Sequence, residues 1–355
     1  MSGFEVCRKI REKYLISELP VIFITAKDQI KDLVEGLSYG GNDYITKPFS
    51  KDELLARIQT HLDLHSINDS YSRFIPFEFL HSLGRESIID VHLGDQTEKE
   101  VTILFIDIRD YTTLSEEMTP SENFNFLNSF LSKMGPIIRD NKGFIMQFLG
   151  DGLMALFLED HIDAINASVG MMRRVNEYND SRETKKRKPI KIGIGLHTGP
   201  LILGILGDDV RMDVNVVSDS VNTASRMEGL TKHYGASIIV SENTLSKIKD
   251  QETFQYRLLG LVKAKGKSKP VRIYEILDEI ISSSNQWKIN TKEEFEIGLN
   301  NYFSKNFVEA AANFKNVIDK NSEDRTAELY LKLSAKHMVD GVSEIWDGIE
   351  IMDLK

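Results

Sequence analysis

Two aspartates stand where an apolar run breaks into a turn: Asp107 in F-I-D-I-R-D-Y-T and Asp151 in L-G-D-G. Asp151 lies at the tip of a strand–turn–strand pattern, Phe144 to Phe157, between Gly150 and Gly152. If the two strands are neighbours in one sheet, the carboxylates converge. Two hard oxygen ligands that leave room for water and phosphate are what a magnesium site requires. The plainer reading of each acid alone is a turn cap, a common role for aspartate. In V-V-S-D-S-V-N-T-A-S-R-M-E (Val216–Glu228), Asn222 and Arg226 sit at i and i+4 and share one helix face. An amide beside a guanidinium can hold a ribose and a phosphate; alone, the pair fits a solvated face better. Lys265 and Lys267 flank Gly266 before the last strand, a turn that suits a triphosphate or an ordinary basic surface.

The elements that must position these residues are legible from periodicity. Val101–Ile108 and Ile190–His197 read as strands, and Ser121–Met134, His161–Tyr178 and Val221–His233 as helices. Val271–Ile276 closes the sheet, which gives an α/β unit over residues 99–279. Before it, V-I-F-I-T (Val21–Thr25) and D-Y-I-T-K-P-F predict two short strands, and Ser50 predicts a helix N-cap. Residues 1–61 are thus a separate α/β piece with parallel pairing. Residues 62–98 read as a helical linker or transducer, whose Phe74, Phe77 and Phe79 predict packing. Residues 285–355 read as helical. Leu299–Ile318 shows two apolar faces broken near Ser304–Asn306, close to one tetratricopeptide-like helix pair. Such units need neighbours, so the tail is expected to dock on the rest of the chain or on a protein partner.

Bulk properties bound the partners. A chain of 355 residues with 41% hydrophobic and 28% charged content is ordinary for a globular protein of two or three domains. A net charge of -10 argues against a nucleic-acid polymer, though not against a nucleotide whose phosphates a cation offsets. The basic run Thr184–Pro189 reads as a solvated loop before a strand. No apolar run approaches the roughly 20 residues of a membrane helix, and no signal peptide is apparent. The single cysteine, Cys7, fits a reducing, cytoplasmic setting.

Taken together, the motifs resemble the class III nucleotide cyclases over about residues 70–279. The order F-x-D-I-R, G-D-G-L-M-A-L-F, R-M-D-x-N-V-V-S-D-S-V-N-T-A-S-R-M-E, then K-G-K is that of the family. The resemblance implies a ferredoxin-like βαββαβ domain that works as a homodimer or pseudo-dimer, with active sites at the interface. It further implies that Asp107 and Asp151 bind two Mg²⁺ or Mn²⁺, assisted by the Ile108 carbonyl. Asn222 would orient the ribose, Arg226 would stabilise the α-phosphate, and Lys265 would hold the β- and γ-phosphates, these three from the opposite subunit. The implied reaction converts a nucleoside triphosphate to a 3′,5′-cyclic nucleotide and pyrophosphate, in bacterial two-component-type signalling.

The base is left open. Members that use ATP usually carry Lys where Gln147 stands and Asp or Thr where Asn215 stands; members that use GTP carry Glu and Cys. An amide both donates and accepts, so the Gln147/Asn215 pair suits either base. The family base rate favours ATP, with GTP or a pyrimidine triphosphate as alternatives. Pro200 also replaces an arginine that some members carry after the H-T-G turn. Residues 1–61 resemble the second half of a flavodoxin-like response-regulator receiver. Thr25 matches the switch hydroxyl, Tyr44 the switch aromatic and Lys47 the phosphoryl-contacting lysine, with a cis Lys47–Pro48 bond expected. The resemblance places the phosphoacceptor several residues before Met1. The competing reading of the whole is a catalytically weak, cyclase-like module for nucleotide sensing or scaffolding. A polymerase-like palm is disfavoured by the acidic balance.

Overall fold

The two short strands expected before residue 50 form and pair with each other, Asn42 N–H donating to the Val21 carbonyl at 2.8 Å, but the first is only half-buried, with Ile24 exposed. A computed structural model describes the chain except residues 1, 15, 17, 27–33, 35, 86, 185, 250–252, 265–268, 279–283, 345 and 353–355. The chain divides into two units, residues 1–97 with 203–214, and residues 98–202 with 215–355.

In the first unit, α1 (Gly3–Arg11) starts at a capping box: Glu5 N–H donates to Ser2 Oγ at 3.2 Å, and Ser2 N–H donates to the Glu5 carboxylate at 2.7 Å. Strand β1 (Ile22–Thr25) pairs in parallel with β2 (Asp43–Thr46), Thr25 opposite Thr46. Helix α2 (Lys51–Ser72) is N-capped by Ser50, as expected, and runs without interruption through residues 61 and 62, where the sequence changes character. Helix α3 (Phe77–Ser82) follows. The aromatic residues here do not all pack: Phe79 is 0% exposed, whereas Phe77 is 45% and Phe74 82% exposed. Phe74 lies in the turn between the two helices. Arg85 grips Asp95 with two donors, Nε at 3.1 Å and Nη2 at 3.0 Å, fixing the chain ahead of the next strand.

The second unit is built on a sheet ordered β11-β9-β10-β8-β6-β3-β5-β4, with β7 (Met212–Val217) paired to β6. Its strands are β3 (Gln96–Ile108), β4 (Gly143–Leu149), β5 (Gly152–Phe157), β6 (Ile192–Gly207), β8 (Ile238–Ser241), β9 (Gln255–Ala264), β10 (Val271–Leu277) and β11 (Glu350–Met352). The helices between them include α4 (Tyr111–Glu116), α5 (Pro120–Asp140), α6 (His161–Thr184), α7 (Asp219–Tyr234) and the single-turn α8 (Glu242–Leu245). Strand β3, α5, β4, β5, α6 and β6 give the βαββαβ order of a ferredoxin-like domain.

Both sheet faces are covered, which explains why β5 and β8 are buried along their whole length. Ile238 and Val240 join the core under α5 and α6, while Ile239 between them joins the opposite core with α7. Helix α5 continues past the expected stop at Gly135–Pro136. Its stripe Phe126, Phe130, Met134 and Ile138 stays in the core, so packing outweighs the backbone hydrogen bond that Pro136 cannot donate. Helix α6 likewise extends to Thr184.

The C-terminal helices α9 (Ser284–Asn290), α10 (Lys292–Phe303), α11 (Phe307–Lys320) and α12 (Arg325–Asp340) complete the second core. The break predicted at Ser304–Asn306 separates α10 from α11. Docking is on the chain itself: Phe295, Leu299, Phe314 and Tyr330 pack with Leu259, Val262 and Ile273 of β9 and β10. Among the described residues the tail is helical only to Asp340. Gly341, at φ +71°, ends α12, and the chain returns to add β11 in parallel to the edge of β9, Glu350 opposite Val262. No helix among the described residues is long and apolar enough to cross a membrane.

Candidate active site

Asp107 is delivered by the last residues of β3, and Asp151 by the tight turn between β4 and β5. Strand β5 lies beside β3 in antiparallel register, Ile106 opposite Leu153, so the turn falls next to the end of β3. Leu149 pairs with Gly152, leaving Gly150 and Asp151 as a two-residue loop. Gly150 has φ +66°, the positive value that a glycine at the first loop position of a type II′ hairpin supplies.

Gly152 meets a different demand. A β-carbon there would lie 2.4 Å from the Ile106 carbonyl oxygen and 3.1 Å from Asp107 Oδ1. The second glycine therefore lets the turn close onto β3. Gly152→Ala is expected to destabilise the fold by about 1–3 kcal/mol through that backbone clash. If the site is catalytic, displacing the two carboxylates should also cost roughly 100-fold in turnover. A melting curve and a rate close to wild type would refute both parts.

The two carboxyls are within hydrogen-bonding reach of each other. Burial, then the hydrogen bond and charge of Asp151, push Asp107 up to about 7, against the pull of the Ile108 N–H. Unscreened acids this close hold a proton between them or a cation, and all-oxygen donors of this kind suit Mg²⁺ or Mn²⁺.

A third acid, Glu228, faces them from α7. Burial, then the Asp107 charge, push it up to about 7, with Arg109 opposing. Two glycines of β6 make room for it: a β-carbon on Gly195 would meet Glu228 N at 2.0 Å, and one on Gly193 would meet Glu228 Oε1 at 2.8 Å. The signal was present in the sequence. Glu228 is the one acid on the α7 face that carries Ala224, Met227 and Thr231. Arg109 Nη2 donates to the carbonyls of Thr231, at 3.2 Å, and Ala236, which ties the end of β3 to the end of α7.

Helix α7 is N-capped by Ser218, whose Oγ accepts from Ser220 N–H at 2.9 Å and donates to the Pro200 carbonyl at 2.5 Å. Asn222 and Arg226 share a face of α7 that points away from the sheet, Asn222 exposed and Arg226 half-buried. Neither forms a hydrogen bond or ion pair among the described residues.

Gln147 is exposed near the hairpin tip, and it reaches that position through a bulge. Ile145 pairs with Ala155, but Gln147 pairs with Met154, so Met146 is an extra residue that re-aims the strand. Strict alternation along the strand does not reveal this. Asn215 is exposed on β7, where its Oδ1 accepts the Val216 N–H at 2.8 Å. That bond leaves the Asn215 amide as a donor, which suits N1 of adenine and O6 of guanine alike. Lys265 lies outside the described residues.

In the first unit, Thr25 and Lys47 meet at the strand ends, Lys47 N–H donating to the Thr25 carbonyl at 2.8 Å. The Lys47–Pro48 bond is cis. Tyr44 lies on β2, with the Arg57 guanidinium 6.0 Å from its ring centre.

Comparison with known proteins places this arrangement. The adenylate and guanylate cyclase catalytic domain matches residues 93–291, and the response regulator receiver domain matches residues 1–59. An adenylate cyclase of Anabaena cylindrica is 38% identical over 234 residues, 64% of this chain and 47% of that protein. The terminal-differentiation-specific adenylate cyclase of Dictyostelium discoideum is 32% identical over 294 residues, 81% of this chain and 14% of that protein. The chain thus spans less than half the length of these relatives. A bacterial light-regulated adenylyl cyclase of known structure shares the fold, with a TM-score of 0.54 at 24% identity over 66% of this chain and 68% of that one.

Proposed function

Because the chain belongs to the adenylate and guanylate cyclase catalytic domain family, we propose that it converts a nucleoside triphosphate, ATP first, to a 3′,5′-cyclic nucleotide and pyrophosphate. The observation that carries this reading is the Asp107–Asp151 pair, two carboxyls held together at a strand end with Asp107 pushed up to about 7. Such a pair is stable as two anions only with a cation between them.

Asp107, Asp151 and the Ile108 carbonyl would hold two divalent cations. Bound there, the cations lower the pKa of the ribose 3′-hydroxyl and offset the charge of the triphosphate. The 3′-oxygen attacks the α-phosphorus, its proton passes to water, and the bond to the β-phosphate oxygen breaks. Asn222 orients the ribose, Arg226 donates to the α-phosphate as charge builds, and Lys265 holds the outgoing phosphates. Gln147 and Asn215 face the base.

Asn222 and Arg226 have no partner within the chain among the described residues, which supports a site completed by a second copy. Phe148 and Leu149 at the hairpin tip, with Ile202 and Val217 on β6 and β7, are exposed apolar residues suited to that homodimer contact. In this reading, residues 1–61 are a partial receiver, 62–98 a transducer, 99–279 the cyclase and 285–355 the tetratricopeptide-like tail. The setting is cytoplasmic signalling, as the lone cysteine suits.

The deciding assay supplies the purified chain with ATP, GTP, CTP or UTP separately, with Mg²⁺ or Mn²⁺. Cyclic AMP as the fastest-formed product is the expected outcome. A folded dimer that turns over none of the four would support the nucleotide-sensing alternative. Arg226→Ala is expected to lower turnover by roughly two to three orders of magnitude with little change in the melting temperature; a loss below about threefold would remove Arg226 from the site.

A further inference from the structure

A cavity of about 580 Å³ lies between the α4–α5 turn, the first half of α5 and the C-terminal end of α6. Its walls include none of the residues assigned above to catalysis. Its volume is in the range typical of small-molecule sites.

Arg182 is the centre of it. The residue is only 6% exposed, and its guanidinium lies 5.3 Å from the ring centre of Phe126 and 5.7 Å from that of Tyr178. Nε donates to the Lys188 carbonyl at 2.7 Å. The two Nη groups make no hydrogen bond among the described residues, although they line a polar cavity. The Nη donors meet the solvent that fills the cavity and are free to take an anionic acceptor there.

The surrounding charges point to an anion. Lys186 and Arg187 line the same cavity; neither forms an ion pair within 4 Å among the described residues, and Arg187 feels the Glu122 charge only at longer range. The two acids nearby are already engaged. Glu122 accepts from the Thr119 N–H and hydroxyl, at 2.9 and 2.8 Å, and Glu117 pairs with Lys188. Leu114, Met118 and Phe126, the last beneath the Arg182 guanidinium, add an apolar and partly aromatic part of the lining.

Lys188 and Leu114 also wall a smaller cavity of about 230 Å³ that ends at Arg109. The Arg109 N–H donates to the Lys191 carbonyl at 2.8 Å, so the smaller cavity adjoins the end of the strand that carries Asp107, and Asp107 itself lines neither cavity.

We propose that this cavity is a binding site for a small phosphate ester with a flat apolar body. The forked Nη pair of Arg182 takes two phosphate oxygens, and Lys186 and Arg187 supply the remaining positive charge. The organic part lies against Phe126 and Met118.

The test is calorimetric titration of the full chain in EDTA with phenyl phosphate, inorganic phosphate and phenol. Phenyl phosphate should bind more tightly than phosphate, and phenol should not bind. The double variant Lys186→Glu/Arg187→Glu changes only exposed residues and should weaken phenyl phosphate binding by about tenfold or more. Arg182→Gln, checked for a native circular dichroism spectrum, should do the same. Arg226→Ala should leave the titration unchanged, which separates this site from the triphosphate site. The proposal fails if wild type does not bind phenyl phosphate, if the double variant binds like wild type, or if Arg226→Ala abolishes the binding.

Discussion

Asp151→Asn is expected to abolish cyclic-nucleotide formation and, in the same protein, to stabilise the metal-free fold at neutral and alkaline pH. The first effect follows if Asp151 is half of a cation site. Losing one anionic ligand removes several kcal/mol of transition-state stabilisation, a fall of at least about 10³-fold in turnover. The second follows from the raised position of Asp107. A carboxyl that is harder to ionise when folded contributes stability that is fully present below its unfolded pKa of about 4. That stability is lost as pH rises through about 7, the folded value. Asparagine keeps the size and a hydrogen bond to Asp107 but removes the repelling charge, so the loss should shrink. His197 acts in the opposite sense. Burial lowers it to about 4, despite the Asp219 charge, so its contribution is present above about 6.5 and falls away in acid. The difference in melting temperature between variant and wild type cancels His197. In EDTA that difference should be near zero at pH 5 and grow towards pH 8. Added Mg²⁺ should erase it by stabilising wild type alone. An inactive variant with no pH-dependent gain would mean that the two carboxyls do not face each other.

The parts of this site that follow a period were legible in the sequence. Asp107 ends an unbroken apolar run, Asp151 sits between two glycines, and Asn222 and Arg226 are one helical turn apart, so their elements could be assigned without coordinates. What escaped depends on contacts between elements distant in sequence. The bulge at Met146 preserves the composition of β4 and changes only its pairing with β5. Glu228 looks like one more acid on a charged helix until β6 is laid across it at Gly193 and Gly195. Pro136 argues locally for a helix stop, and only the core that receives Ile138 overrules it. The fold class was legible for the same reason as the acids, since alternating strand and helix periods survive in the sequence. The return of the C-terminal segment as an edge strand was not, because three residues carry too little pattern to identify a strand.

Arg257→Met is expected to cost about 3–5 kcal/mol in urea unfolding, because it strands buried anions rather than because it deletes a favourable pair. Arg257 is 0% exposed, on β9. It donates from Nε to Glu275 of β10 at 3.0 Å, and from Nη1 and Nη2 to Asp324 at 2.6 and 3.0 Å. Its guanidinium also lies 4.5 Å from the ring centre of Phe295. Lys288 of α9 closes the set, reaching Glu275 at 2.6 Å, so two cations balance two anions. Burial pulls the Arg257 pKa down, and the charges of Asp324 and Glu275 outweigh it and hold the guanidinium above its ordinary value. Asp324 has a second duty, accepting the Ala327 N–H at 3.1 Å as the N-cap of α12. One network therefore pins the C-terminal helices across both β9 and β10, the strands on either side of Lys265 in sequence. Replacing Arg257, Glu275, Lys288 and Asp324 together with apolar residues of similar volume should recover most of the loss, since no buried charge then remains unpaired. A single-variant cost below about 1 kcal/mol would show that water reaches the network and that the charges are not buried in solution. If Lys265 acts on the triphosphate and depends on the strands that flank it in sequence, Arg257→Met should raise the KM for the triphosphate more than it lowers kcat, whereas a fault confined to folding would reduce the active fraction and leave KM unchanged.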